Sequence, residues 1–209
     1  MSTKNNSNNK KEKSFIEKAR RNQIVVCAIE TIAELGYAQA SVSKIAKRAN
    51  ISKGVITYHF ASKEELLEQV VIDYYNACLA YINPQFDSHL SPKEMLSKYI
   101  EANLHFISKN RKHVFAVIEI VANERTEDGK LRFVGELDER IFQPIEKILF
   151  LGMEDGTFRE FTPFSARVMA VTIRNVIDGF CIELMRNPET NINDYVNEFV
   201  KIFELATRS

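Results

Sequence analysis

Apolar residues recur at spacings of three and four along almost the whole chain, which is the signature of amphipathic helices. Ser14-Phe15-Ile16-Glu17 fits a capping box, and behind it Ile24, Cys27, Ala28, Thr31, Ile32 and Leu35 share one face. Gly36 is placed to end that helix. A second helix begins near Ser41 or Ser43, with Val42, Ile45, Ala46 and Ala49 inward, and Asn50-Ile51-Ser52 interrupts it. A third spans Lys53 to Phe60 with Ser52 as N-cap. Ser62-Lys63-Glu64-Glu65 opens a fourth, through Leu66, Val70, Ile72, Tyr74 and Leu79 to about Tyr81.

Asn83-Pro84 ends that helix, and Ser91-Pro92-Lys93-Glu94 starts a fifth over about 92–109. Residues 111–123 are rich in Val and Ile, but no hairpin partner is visible, so a helix is expected. A further periodic stretch over 131–153 contains Pro144, which is expected to kink or divide it. Asp155-Gly156 makes a turn, Thr162-Pro163 opens a long helix over about 163–186, and a last helix covers about 192–206. The fold class is all-α, with about nine helices and no convincing strand.

Composition adds exclusions. Of the 209 residues, 45% are apolar, enough to build a core and too many for a wholly disordered chain. No apolar run is long enough to span a bilayer, so no membrane partner is expected. Residues 1–13 are polar and are expected to be a disordered tail. They have no apolar centre, which excludes a signal peptide and makes the cytoplasm the expected compartment. Cys27, Cys78 and Cys181 lie far apart with no Cys/His cluster, so buried thiols are expected and neither metal nor cofactor. The net charge of zero is unevenly spread. Residues 1–63 hold 12 Lys and Arg against 4 Asp and Glu, and residues 64–209 hold 16 against 24. A basic end on an acidic body points to a polyanion partner for the first third, although part of the asymmetry belongs to the tail.

The candidate chemistry sits in 42–60, two short helices around a three-residue turn, the layout of a helix-turn-helix. Its second helix is about 12 Å long at 1.5 Å per residue, enough to read a few base pairs in a major groove. Lys53, Thr57 and Tyr58 face outward; Lys can donate to guanine and the Thr methyl can meet a thymine methyl. Tyr58 and His59 have a competing reading as packed residues. The chain contains no GxSxG, HExxH, P-loop or GxGxxG pattern, so an enzyme is not expected.

Gly36-Tyr37, Ser41-Val42, Ile45-Ala46, Ala49, Ile51-Ser52-Lys53-Gly54, Tyr58-His59-Phe60 and Ser62-Lys63-Glu64-Glu65-Leu66 together resemble the TetR family of bacterial transcription regulators over about residues 20–68. Gly152 through Gly156 to Phe158, and Asp178-Gly179-Phe180, match more loosely. Asn50 stands where the family usually has Gly, and Thr57 where it often has Tyr. The resemblance implies a helix-turn-helix DNA-binding domain over 14–62 and a helical effector-binding and dimerisation domain over 63–209. It implies that Lys53, Gly54, Val55, Thr57 and Tyr58 face bases or sugars of operator DNA. Ser41, Lys44, Tyr58, His59 and Lys63 would hold phosphates.

A single helix-turn-helix reads a small footprint, so a homodimer on a palindromic operator is expected. The last two helices are apolar on several faces. Val168, Val171, Val176, Phe180 and Leu184, with Val196, Phe199, Val200 and Phe203, are the candidate dimer surface. For a small hydrophobic or amphipathic effector, which the resemblance implies, the candidates are Tyr99, Asn103, Phe106, Glu119, Asn123, Asn175 and Asp178. His105 interrupts an apolar stretch in the same way. A repressor released by its effector is the leading reading. An activator or an effector-independent DNA-binding protein is the alternative, and a helical enzyme is a distant third.

Overall fold

The computed structural model describes residues 3–87, 89–133 and 136–209, without the side chains of residues 3–14, 136–138 and 140. Among the described residues the protein is all-helical, in the order α1 (Thr3–Leu35), α2 (Val42–Arg48), α3 (Lys53–His59), α4 (Lys63–Ile82), α5 (Pro92–Lys109), α6 (Arg111–Asn123), α7 (Glu136–Glu154), α8 (Pro163–Arg186) and α9 (Ile192–Thr207). Short 3-10 turns cover Tyr37–Gln39 and Asn83–Gln85. Among the described residues extended pairing is limited to isolated bridges, Arg125 with Leu131 and Phe158 with Arg208.

Most boundaries fall where caps and prolines put them. Gly36 ends α1 at φ 78°. Ser41 accepts the Lys44 amide to start α2, and Ser91 and Glu94 form a complete capping box at α5. Thr162 and Ser165 do the same for α8. The segment 111–123 is helical, as expected, because its apolar residues fall at helical spacing and Val114, Val117 and Ile120 all reach the core.

Three local expectations are corrected. Helix α1 begins at Thr3, so the Ser14–Glu17 box lies inside a helix and not at its start; no Gly or Pro interrupts the preceding residues. The disordered tail expected over 1–13 falls on residues whose side chains, with Met1 and Ser2 entire, lie outside the described set. Of the two outcomes expected at Pro144, division of the helix does not occur, since α7 runs through it. The ring is exposed, so water can satisfy the carbonyl that loses its amide donor. Ser52 is the N-cap residue of α3, but its side chain makes no cap hydrogen bond.

The chain divides between Asp73 and Tyr74 into two compact units, a division that falls within α4. The core of the first unit is built by Ile24, Ala28 and Ile32 of α1, Ile45 and Ala46 of α2, Ile56 of α3, Phe60, and Leu66, Leu67 and Val70. In the second unit α5 packs against α6, α7, α8 and α9, and α8 also packs against α6 and α7. Leu104, Ile120, Leu149, Ile173, Ile177 and Cys181 are fully buried there. Each such aliphatic side chain contributes roughly 1.5–3 kcal/mol by leaving water. Among the described residues, no helix is long and apolar enough to cross a membrane.

Candidate functional site

The turn between α2 and α3 is held by backbone geometry. Asn50 adopts φ 53°, a left-handed conformation that Asn tolerates better than most side chains. The Ile51 amide then donates to the Ala46 carbonyl at 3.0 Å, closing the turn. Ile45, Ala46, Ala49 and Ile56 are buried beneath it. On the outer side Ser41, Lys44, Lys53, Gly54, Thr57 and Tyr58 are exposed, while Val55, His59 and Lys63 are half-buried. Tyr58 is 71% exposed, which sets aside its reading as a core residue. Its hydroxyl donates to Glu17 at 3.2 Å, and its ring meets the edge of His59 at 5.0 Å. Lys63 lies at the start of α4 with its ammonium 4.8 Å from the Tyr37 ring centre. The first turn of α4 is capped by Ser62, which accepts the Glu65 amide. The nine residues expected to meet DNA therefore belong to one stretch of one unit, and most of them are open to solvent.

Arg21 was not among the expected residues, yet it fixes this surface from behind. Its guanidinium stacks on Phe60 at 4.0 Å and donates to the His59 carbonyl, to Glu65 and Gln69 of α4 at 3.1 Å each. A cation on that carbonyl satisfies the C-terminal end of α3. Glu65 also accepts the Ala61 amide at 2.7 Å. That backbone hydrogen bond, followed by Arg21, holds its carboxyl below the usual range. The sequence carried a signal for Arg21: it lies one helical turn before Ile24 and Val25, on the buried face of α1.

The second unit contains a cavity of about 360 Å³. Tyr75, Cys78, Leu79 and Ile82 of α4 line it, with Met95, Tyr99 and Asn103 of α5 and Ile141, Pro144, Ile148 and Leu151 of α7. Asn83, Phe86, Lys147 and Arg174 complete the lining. Pocket walls of this kind, apolar with a few converging polar groups, suit an amphipathic small molecule. Of the expected ligand residues, Tyr99 and Asn103 line the cavity. Phe106 is buried in the core, packed against Tyr74 and Tyr81. Glu119, Asn123 and Asn175 are not part of the lining; Asn123 donates back to the Glu119 carbonyl at 2.8 Å, and Asn175 is exposed on α8. Asp178 stands behind the wall as the partner of Arg174.

Arg174 is the unforeseen group. It is buried, donates through Nε and Nη2 to the two Asp178 oxygens at 2.9 and 2.5 Å, and through Nη1 to Asn103 Oδ1 at 3.2 Å. Asn103 in turn donates to the Tyr99 carbonyl at 2.8 Å and accepts weakly from Cys78 Sγ at 3.9 Å. Burial alone would pull the guanidinium down; Asp178 and the nearby phenols outweigh it and hold it well above its ordinary value. Burial pushes Tyr99 up and Cys78 to about 11, so both stay neutral near pH 7. Among the described residues, no group of three or more His, Cys, Asp or Glu is placed to hold a metal.

The outer face of α8 is a separate feature. Phe164, Val168, Val171, Asn175, Asp178, Ile182 and Met185 recur at alternating spacings of four and three and are all exposed or half-exposed. On α9, Ile202 and Leu205 are exposed at 52% and 63%. Among the expected dimer residues, Val168 and Val171 lie on this face, and Val176, Phe199 and Val200 are half-buried. Phe180, Leu184, Val196 and Phe203 face the core of their own chain. Phe180 packs between Tyr195 and Phe199, with ring centres 5.0 and 6.3 Å away.

Residues 24–70, which contain this helix-turn-helix, match the family model described as bacterial regulatory proteins of the tetR family. A fatty acid metabolism regulator protein of Bacillus subtilis is 27% identical over 138 residues, 66% of this chain and 70% of that protein. Among solved structures, ketosteroid transcriptional regulator KstR2 of Mycobacterium tuberculosis superposes with TM-score 0.75 at 19% identity, covering 91% of this chain and 95% of that one. The regulator FadR of Bacillus subtilis in complex with stearoyl-CoA superposes with TM-score 0.71 at 23% identity, covering 86% and 95%. Residues 24–70 therefore carry a DNA-binding helix-turn-helix of the TetR type, and over most of its length the chain is similar to TetR-family transcriptional regulators.

Proposed function

We propose that the protein binds a palindromic operator as a homodimer, represses transcription there, and lets go when a small apolar or amphipathic effector fills the cavity of the second unit. The observation that carries the reading is the pairing, in one chain, of an outward helix-turn-helix surface with an apolar cavity that has a polar, buried end. Lys53, Gly54, Val55, Thr57 and Tyr58 meet base and sugar edges; Ser41, Lys44, Tyr58, His59 and Lys63 meet phosphates. A dimer supplies the second half-site, and the exposed apolar faces of α8 and α9 are the surfaces that bring two copies together. The DNA-binding part is the first unit, in which the helix-turn-helix expected over 14–62 is extended by the start of α4 to Asp73, and the effector and dimer part is the second unit, from Tyr74. The protein works by binding, with no catalytic step, in the cytoplasm.

Helix α4 carries Lys63 at its first turn and Tyr75, Cys78, Leu79 and Ile82 in the cavity wall. An effector that favours one position of α4 shifts the population away from the arrangement that fits two half-sites at once. The fatty acid metabolism regulator and the ketosteroid transcriptional regulator among the relatives favour an effector with a long apolar body. Footprinting of the chain's own upstream DNA tests the reading. An inverted repeat with half-sites about one helical turn apart is expected. Protection of a single unrepeated site would oppose the dimeric reading.

A further inference from the structure

The cavity has two different ends. Its rim is exposed: Lys147, Pro144 and Leu79 all reach solvent. Its closed part holds three polar side chains, Tyr99, Asn103 and Arg174, at 7%, 2% and 7% exposed, beside the equally buried Cys78, Ile82 and Ile148. A hydrocarbon laid against these groups offers no acceptor to the guanidinium N–H groups that the bonds to Asp178 and Asn103 leave over. A ligand with a hydrogen-bond acceptor at this place gains a contact that a hydrocarbon does not.

The charge at that end decides the kind of acceptor. Among the described residues Arg174 is the cation of the buried cluster, and Asp178 already takes it in a two-point ion pair. Tyr99 and Cys78 contribute no charge near pH 7. A carboxylate arriving there would be desolvated against a cluster whose charge is already balanced, and it would sit beside a second carboxylate. An uncharged carbonyl meets N–H donors and needs no counter-charge. Lys147 does not alter this, because an exposed ammonium at the rim is solvated and discriminates weakly.

We propose that the effector presents an uncharged carbonyl oxygen (ester, thioester, amide, lactone or ketone) to the buried Arg174–Asn103 end of the cavity, and that Asp178 is the residue that rejects free carboxylates there. This rests on the reading of the cavity as the effector site. In this arrangement Arg174 and Asn103 contact the ligand, and Asp178 sets specificity through Arg174.

The test is displacement of the neutral dye N-phenyl-1-naphthylamine from the full-length protein at pH 7.5 by N-methyldecanamide, decanoate and decane. The chain has no Trp to interfere with the fluorescence. The amide is expected to displace the dye at a concentration at least tenfold below decanoate, and below decane. Asp178→Asn removes the balancing charge and is expected to reverse the order, so that decanoate becomes the better ligand; Arg174→Met is expected to abolish the preference. Circular dichroism establishes that each variant is folded, and the wild-type ranking stands as a test if one is not. Decanoate equal to or better than the amide on the wild type, or an unchanged ratio in folded Asp178→Asn, overturns the proposal while leaving the cavity as the effector site. Failure of the dye and all three ligands to bind overturns the effector reading, and the proposal with it.

Discussion

Replacing Ile182 with Asp tests the dimer face where its cost can be reasoned from exposure. Ile182 is 43% exposed in the single chain, toward the C-terminal end of the outer α8 seam. Complete burial of such a side chain is worth roughly 1.5–3 kcal/mol, so docking a second copy recovers about 1 kcal/mol at this position. An isologous interface counts it twice, about 2 kcal/mol in all. Ile182→Ala should then weaken the dimer about 30-fold. Ile182→Asp places a further carboxylate from each copy in the seam, one turn from Asp178, and adds several kcal/mol of desolvation and like-charge repulsion. Its dimer dissociation constant should rise by three orders of magnitude or more. Because the residue is already partly exposed, the stability of the separate chain should change by less than about 0.5 kcal/mol for either substitution. Sedimentation equilibrium gives the dissociation constant and circular dichroism the melting curve. A dimer unaffected by Ile182→Asp would refute the assignment of this face.

Other outcomes follow from the same geometry. Lys63→Ala should weaken binding to all duplexes alike and lower the salt slope by about one, read by titration at several salt concentrations; an unchanged slope removes Lys63 from the phosphate set. Replacing Thr57 with Val should change which operator is preferred, and equal losses on cognate and scrambled duplexes would exclude base readout. Gly152→Ala puts a methyl against the buried Phe158 ring, 2.6 Å from Cγ. Overpacking of about 1–3 kcal/mol should outweigh the roughly 1 kcal/mol of helix propensity gained, and a melting temperature at or above wild type would contradict that. Burial holds the Cys78 and Cys181 thiols up to about 11. Both should resist thiol reagents at pH 8 until urea unfolds the chain. Above pH 9 the unfolded chain loses these protons before the folded one does, so stability should fall between pH 9 and 11 in urea titrations. Stability that holds level or rises over that range would oppose the burial argument.

Helix boundaries were legible because caps and prolines are local chemistry: Gly36, Ser91-Pro92 and Thr162-Pro163 act within a few residues of themselves. The helix-turn-helix was legible because its buried positions and turn lie within twenty residues. The α8 face was harder. Val168 and Phe180 look alike in a helix that is apolar on several sides, yet Val168 is 48% exposed and Phe180 is buried against α9. Only the packing of α5, α6 and α7 on α8 decides which stripe is left outside. The cavity was harder still, since its wall is drawn from four helices and a connecting segment. Polar residues interrupting apolar stretches pointed to Asn103, but equally to Asn123 and Asn175, which face away from it. Arg21 and Arg174 share a signal that generalises: each is a cation on the apolar face of its helix, where a charge persists only when the fold supplies its partners.

Fluorescence anisotropy of the full-length protein against its own upstream DNA, beside a scrambled duplex and at two salt concentrations, tests the central claim most directly. Tight binding that favours the upstream sequence and weakens steeply with salt is the predicted result. Equal, weak binding to both duplexes, repeated on sites selected from random sequences, would contradict a helix-turn-helix that reads an operator.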